Sequence, residues 1–333
     1  MFILLGTLEM LYPWAEAYVR GYAEQTLTQL LSEITMNSRR RPVIKGVHYS
    51  GDKDLGQLSD YFLGGLPSPL ISGHTIAHNN YIRYETKRGC AFRCAFCQHK
   101  DSYEKRQECC SERIRREIQW IVEQNINDIS IVDPIFNLPK SHYLKVMDLF
   151  LEMGFRGRLN LQTRLEMISE EFVERCRKCL DSGIGIELEC GVQTADRDVM
   201  RVIDRGQSLK KIERKASELN KNGILFEVSL IYGLPLQTVD SFEKTIDFVV
   251  NKLTPNRVRA WPLMLLKGTE LYYVKKRYGL REKLLDSDLQ PMDDMRQYAG
   301  IPHVISSSTF DENDWLKMKG MAEELNKTDL KLN

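Results

Sequence analysis

Two rhythms of hydrophobic and polar positions alternate through the middle of the chain. Short runs rich in β-branched and aromatic residues recur at Tyr81–Thr86, Ile129–Val132, Arg158–Leu161, Ile184–Leu188, Leu225–Leu230 and Arg257–Pro262, each of strand length. Between them lie longer stretches with the apolar period of amphipathic helices, beginning near Ser111, Pro139, Ser169, Ala195 with a restart at Ser208, and Val239. Several of these starts carry capping residues: Ser111 before Glu112, Ser169 before Glu170 and Glu171, and Asp240 with Ser241. Strands alternating with helices predict an α/β fold, a parallel sheet wound as a partial (β/α)6 barrel over residues 81–275. In such barrels the chemistry gathers at the C-terminal ends of the strands.

The flanks follow other patterns. In residues 1–80, Phe2–Gly6 and Ala17–Arg20 read as strands, and Glu24–Ile34 as a helix with Leu27, Leu30, Leu31 and Ile34 on one face. Gly64-Gly65-Leu66-Pro67-Ser68-Pro69 reads as a linker. Residues 276–333 read as a charged helical tail with a late amphipathic segment around Trp315, Met318 and Met321.

Composition adds exclusions. The 333 residues are 42% hydrophobic and 28% charged, with a formal net charge of +1. That is ordinary globular composition, and it supplies no global field toward nucleic acid or a membrane surface. The run Arg39-Arg40-Arg41 ends at Pro42 and reads as a solvated loop rather than a phosphate-binding patch. Met-Phe-Ile-Leu-Leu-Gly at the N-terminus has no basic residue, and its apolar run breaks at Gly6. It predicts neither a signal peptide nor a membrane span, and the expected location is cytoplasmic.

In a chain expected to be cytoplasmic, eight cysteines point to metal or redox chemistry rather than to a disulfide framework. They stand at 90, 94, 97, 109, 110, 176, 179 and 190. Cys176 and Cys179 share an apolar helical stripe with Phe172, Val173 and Leu180, where free cysteine serves as a small hydrophobe. Cys109 and Cys110 have no third partner nearby, and Cys190 falls on a strand close to the expected pocket. Cys90, Cys94 and Cys97 are different: spaced three and then two residues apart, they wrap one short loop directly after the first barrel strand. Thiolates are the usual ligands of iron–sulfur clusters. Three ligands on a four-iron cluster leave one iron open, and an open coordination position implies a small-molecule ligand and chemistry. A zinc knuckle completed by His99 is the alternative, but structural zinc sites assemble two separated ligand pairs, and here every donor falls within ten residues.

This Cys-x3-Cys-x2-Cys run, with Phe96 before its third cysteine, resembles the radical S-adenosylmethionine (SAM) superfamily. The resemblance implies a [4Fe–4S] cluster on Cys90, Cys94 and Cys97, with SAM chelating the open iron. It also implies reductive cleavage of SAM to a 5′-deoxyadenosyl radical, which abstracts hydrogen from a small-molecule or natural-product substrate. Phe96 would lie against the adenine. Val132-Asp133-Pro134 takes the place of the family's SAM-amino segment, so Asp133 is either a SAM contact or a turn cap. The third strand places Asn160, Gln162 and Arg164 on a polar face, which makes Gln162 a pocket candidate. Glu189-Cys-Gly-Val-Gln193, followed by Arg205-Gly206, is similar to the family's Glu-x-Gly-x-Gln and later Arg-Gly. By that likeness Glu189, Gln193 and Arg205 bind the ribose and carboxylate, and a planar guanidinium suits a carboxylate. Ile231 and Gly233, in a segment similar to Gly-x-Ile-x-Gly-x-Pro, would meet adenine. Leu265-Leu266-Lys267-Gly268-Thr269 is similar to a sixth-strand Leu-Leu-Pro-Gly-Thr ending.

Gly6-Thr7, Ala17–Leu27 and Gly65-Leu66-Pro67-Ser68-Pro69, running into Glu85–Cys90, resemble the cobalamin-binding branch of the family, which includes ring cyclases, methyltransferases and ring-contracting enzymes. The N-terminal region thus reads as a truncated cobalamin-domain-like segment, expected to pack its apolar face against the barrel. Against cobalamin itself stand the absent Asp-x-His-x-x-Gly segment, which this branch does not require, and the absent early strands. The family implies an electron donor such as flavodoxin or ferredoxin. Lack of cysteine after Cys190 excludes C-terminal auxiliary clusters and a C-terminal methyl-carrying thiol. Two other functions remain open at this point: a cobalamin-dependent methyltransferase or cyclase lacking part of its cobalamin domain, and a non-catalytic metal-binding scaffold.

Overall fold

The computed structural model describes residues 9, 12–38, 40–54, 57, 59, 63–75, 77, 79–99, 106–284 and 302–327. Six strands form one wholly parallel sheet: β3 (Tyr81–Tyr84), β6 (Asp128–Ile131), β7 (Gly157–Thr163), β8 (Ile184–Gln193), β9 (Leu225–Tyr232) and β10 (Arg257–Pro262). Their order in the sheet is their order in the chain, the succession that repeated right-handed βα crossovers produce. The connecting helices are α2 (Ser111–Glu123), α3 (Lys140–Glu152), α4 (Glu170–Asp181), α5 (Arg197–Val202), α6 (Leu209–Lys221) and α7 (Val239–Asp247). Ser169, Ser208 and Thr238 accept hydrogen bonds from the first turns of α4, α6 and α7, which satisfies donors that helix starts leave open. This is the partial (β/α)6 barrel that the alternating pattern predicts.

Strand alternation sorts the two faces. On β8, Ile184, Ile186, Leu188, Cys190 and Val192 point into the apolar layer beneath the helices, while Glu187, Glu189 and Gln193 point the other way. The inward face carries charge near the strand starts. Arg158 pairs with Asp128 at 2.5 Å, and Arg257 lies 3.1 Å from Glu187 and 3.6 Å from Glu227. These side chains keep part of their surface in solvent, Arg158 as much as 54% of it, so the pairs order the strand starts and add little stability. Toward the strand ends the same face opens into a cavity. Cys176 and Cys179, fully buried on α4, belong to the apolar core.

β3 and β10 are the two edges of the sheet. The β10 edge is covered by α9 (Glu312–Lys327), where Asn326 accepts from the Ala260 N–H at 2.9 Å and donates to its carbonyl at 3.0 Å. One amide side chain thus stands in for a neighbouring strand, and edge covering of this kind blocks strand-to-strand association.

Both flanks depart from expectation. The tail is not wholly helical: after α8 (Glu270–Val274), β11 (Arg281–Lys283) pairs antiparallel with β12 (His303–Ser306). That pairing spans a long separation in sequence, and β12 is buried at all four positions, so no polar–apolar alternation marks it. At the other end, β1 (Ala17–Val19) and β2 (Val47–Tyr49) form an antiparallel pair beside α1 (Ala23–Thr35); the expected strand Phe2–Gly6 lies outside the described residues. Only Thr26 and Leu30 of α1 are buried, and Leu27, Leu31 and Ile34 stay exposed. The barrel therefore does not cover the stripe that periodicity finds. The expected linker is held down as well: Leu63 and Leu70 on either side of it join the core, Leu66 packs against that core, and Arg113 Nη1 donates to the Leu63 and Leu66 carbonyls, each at 2.8 Å. No helix among the described residues is long and apolar enough to cross a membrane.

Candidate active site

The cysteine loop begins at Gly89, whose φ of +84° suits glycine in the turn between β4 (Lys87–Arg88) and Cys90. Its far side is fastened to the barrel by backbone bonds: Ala95 N–H donates to the Ile203 carbonyl and Leu271 N–H to the Ala95 carbonyl, both at 2.9 Å. Cys97 N–H closes a turn on the Cys94 carbonyl at 3.0 Å, and Phe92 N–H donates to the Cys90 Sγ at 3.5 Å. Cys90, Cys94 and Cys97 together border a cavity of about 240 Å³. Phe92, Phe96 and His99 from the same loop share its lining, as do Gln162, Thr163 and Arg164 from the end of β7, Glu189 and Gln193 from β8, Ser229 from β9, and Arg205.

Burial pushes the thiols of Cys90 and Cys97 up, opposed first by the N–H groups of Phe92 and His99 and also by Arg205. Metal ligation needs the thiolate, and the local donors and guanidinium favour it. Arg205 is itself buried: Nη1 lies 3.5 Å from the Cys94 Sγ, Nη2 bonds the Gly191 carbonyl, and Nε donates to Gln207 at 3.0 Å. Gln207 in turn donates to the carbonyls of Val192 and Thr194. A second arginine, Arg164, stacks over the Phe92 ring at 3.7 Å, pairs with Glu166 at 2.5 Å and donates to the Gly206 carbonyl at 3.0 Å. Its Nη1 is buried and has no hydrogen-bond partner. An unpaired guanidinium nitrogen beside a cavity is costly unless an acceptor fills the space.

At the end of β8 the pairing register shifts between Gly191 and Gln193, and Gln193 takes a φ of +69°. This bulge aims the Gln193 side chain across Gly191. A Cβ at Gly191 would stand 2.6 Å from Gln193 Nε2 and 3.3 Å from Arg205 Nη2. Glycine at 191 is therefore what lets both side chains close over the strand end.

The structure brings Phe96, Gln162, Glu189, Gln193 and Arg205 to one cavity with the three cysteines, and it places three candidates elsewhere. Asp133 is fully buried, with Oδ1 accepting from the Thr86 and Lys87 N–H groups at 2.8 and 3.0 Å and Oδ2 from the Thr86 hydroxyl at 2.5 Å. Those bonds are the cap alternative, and Pro134 and Ile135 line the cavity where Asp133 does not. Gly233 lies past the end of β9, 3.2 Å in Cβ terms from the Val304 carbonyl, so it packs against β12 and not the cavity. Ile231 shares the inward face of Ser229, but the cavity reaches only Ser229. Sequence reasoning missed Phe92 and Gln207, and put Arg164 on the polar face without naming it a site residue.

Among the described residues no three His, Cys, Asp or Glu side chains converge on a single ion position. The loop thiols, the donors directed at them and the open guanidinium nitrogen fit a [4Fe–4S] cluster with an anionic small molecule beside it.

Comparison with known proteins agrees with this geometry. The sequence model of the radical SAM superfamily matches residues 84–249. The chain is 25% identical over 236 residues to the cobalamin-dependent radical SAM methyltransferase TokK of Streptomyces tokunonensis, covering 67% of this chain and 34% of that protein. It is 22% identical to 2-(S-pantetheinyl)-carbapenam-3-carboxylate methyltransferase of Streptantibioticus cattleyicolor, covering 94% of this chain and 49% of the relative. The chain thus spans about half or less of the length of these curated relatives. Among solved structures, the radical SAM methyltransferase TsrM of Kitasatospora setae superposes with a TM-score of 0.70 at 16% identity, covering 96% of this chain and 68% of that one. The cobalamin-dependent SAM radical enzyme OxsB gives a TM-score of 0.64 at 15% identity, covering 94% and 51%. With the cysteine loop, the six-stranded sheet and the cavity at its strand ends in agreement with these matches, the chain belongs to the radical SAM superfamily.

Proposed function

We propose that the chain is a radical SAM enzyme that cleaves SAM reductively to modify a small-molecule substrate. One observation carries the reading: Cys90, Cys94 and Cys97 share a cavity with Gln162, Glu189, Gln193, Arg164 and Arg205, the acceptors, donors and cations that an amino-acid nucleoside needs. Cys90, Cys94 and Cys97 would hold the cluster, which when bound supplies one electron to the sulfonium C–S bond of SAM. Glu189 and Gln193 bind ribose hydroxyls, and Phe96 covers the adenine. The open Nη1 of Arg164 takes a carboxylate oxygen, because Arg205 already spends its fork on Gly191, Gln207 and Cys94. The electron comes from a small carrier protein of the flavodoxin or ferredoxin kind.

A second reading, a cobalamin-dependent methyltransferase, is favoured by the extent of the matches: the carbapenam methyltransferase aligns over 94% of this chain, residues ahead of the barrel included. Cobalamin needs a large pre-formed cleft, and the described residues ahead of the barrel supply two three-residue strands and one long helix.

A single experiment separates these readings. Anaerobically reconstituted protein is incubated with dithionite and methyl-labelled SAM, with and without hydroxocobalamin. The expected products are 5′-deoxyadenosine and methionine in both arms. Stoichiometric cobalamin retention with label on cobalt would establish the second reading. An iron-loaded protein inert toward SAM in both arms would leave the metal-binding scaffold.

The glycine at the strand end gives a sharper check. In Gly191→Ala the new methyl meets the mobile end of Gln193 first, so the side chains move while the fold holds. SAM affinity is expected to fall about tenfold, the loss of one good polar contact of ~1.4 kcal/mol. Equilibrium dialysis measures it, with iron content and melting temperature staying near those of the unaltered protein.

A further inference from the structure

A second groove of about 580 Å³ runs between α5 and α6, bordered by Arg197, Arg201, Asp204, Arg205, Gly206 and Lys210. Arg205 belongs to both hollows. From the groove floor its Nη1 reaches within 3.5 Å of the Cys94 Sγ, so a single buried side chain separates this surface from a cluster thiol. The backbone repeats the link, since Ala95, next to Cys94, donates to the Ile203 carbonyl just past α5. Arg197, Arg201 and Lys210 are exposed, and Lys211 extends the basic rim. Arg201 and Asp198 take each other up at 2.9 Å, and Asp196 caps α5, which leaves Arg197 and Lys210 against Asp204 at the groove.

We propose that this basic α5–α6 groove is the docking surface for an acidic one-electron carrier protein, delivering electrons to the cluster past Arg205. The proposal rests on the radical SAM reading. SAM and substrate must enter the cavity that the three cysteines border, so a carrier seated there would exclude both. The groove leaves that mouth open while bringing a donor to within one side chain of Cys94. A positive rim also steers a negatively charged partner and speeds its encounter.

The test uses the full chain with its reconstituted cluster and a photoreduced flavodoxin, read by stopped-flow bleaching of cluster absorbance. The double variant Arg197→Glu/Lys210→Glu is expected to slow reduction by flavodoxin about tenfold or more at low ionic strength. Reduction by dithionite and iron content stay unchanged, and so does a Lys145→Glu control on α3. Added salt should slow the unaltered protein toward the variant. Should the reversals lower iron content, Arg197→Gln/Lys210→Gln carries the same test. Equal flavodoxin rates in variant and unaltered protein, with cluster and dithionite reduction intact, would overturn the docking surface. Failure to load iron or to be reduced by dithionite at all would instead overturn the underlying reading.

Discussion

Cys94→Ala is expected to abolish cluster binding. Anaerobic reconstitution of the unaltered protein should give a brown solution with about four irons per chain, as a thiolate-held cubane does, and the variant should retain almost none. Cys94 is the most buried of the three loop cysteines, is approached by Arg205, and anchors the turn that places Cys97. Removing it leaves two ligands on a cluster that requires three, and it strips Arg205 of its sulfur acceptor. Cys176→Ala on α4 is the matched control. That thiol is fully buried, and burial raises its pKa well above the ordinary value, so its loss costs core packing but no ligand. Iron and acid-labile sulfide analysis with visible absorbance decides the matter. Full iron loading in Cys94→Ala would refute the cluster assignment, and iron loss in Cys176→Ala would place the cluster elsewhere.

Much of this arrangement is legible before any coordinate is known, and the reason is periodicity. Residues that build the sheet repeat with a period of two, and those that cover it with 3.6. The barrel strands therefore announce themselves, and with them the strand ends where Gln162, Glu189 and Gln193 stand. The cysteine spacing is equally local. What stays hidden are contacts that depend on which atom meets which. Asp133 sits at a strand end like a ligand-binding residue, yet three donors from Thr86 and Lys87 enclose it. Gly233 follows a family-like pattern, yet β12, reached through a long excursion of chain, occupies the space beside it. Arg164 becomes notable only through its unpartnered Nη1 and its stacking on Phe92, and neither follows from position along a strand.

Lys87→Met is expected to be the most destabilising change outside the apolar core, by ~3–5 kcal/mol. Lys87 is 2% exposed, and its ammonium donates to the carbonyls of Ile135 at 2.5 Å, Phe136 at 3.0 Å and Leu138, with Asp133 4.0 Å away. Burial draws its pKa down to about 8, and Asp133 and Glu108 work against that shift. The ammonium thus gathers a loop whose carbonyls have no strand to pair with, and the same loop supplies Pro134 and Ile135 to the cavity wall. Methionine matches the chain length but donates nothing. Three carbonyls lose their donor and Asp133 loses its nearest cation, the asymmetry that makes a half-broken buried pair costlier than none. In a chain of this size the change corresponds to a fall in melting temperature of roughly 5 °C, measured by calorimetry on the cluster-free protein so that metal binding does not mask it. Because the cavity wall moves with the loop, SAM affinity should fall in the same variant while the three cysteines still take up iron. An unchanged melting temperature would mean that the 134–138 loop keeps its shape without the ammonium, and that Lys87 is a passenger of the fold.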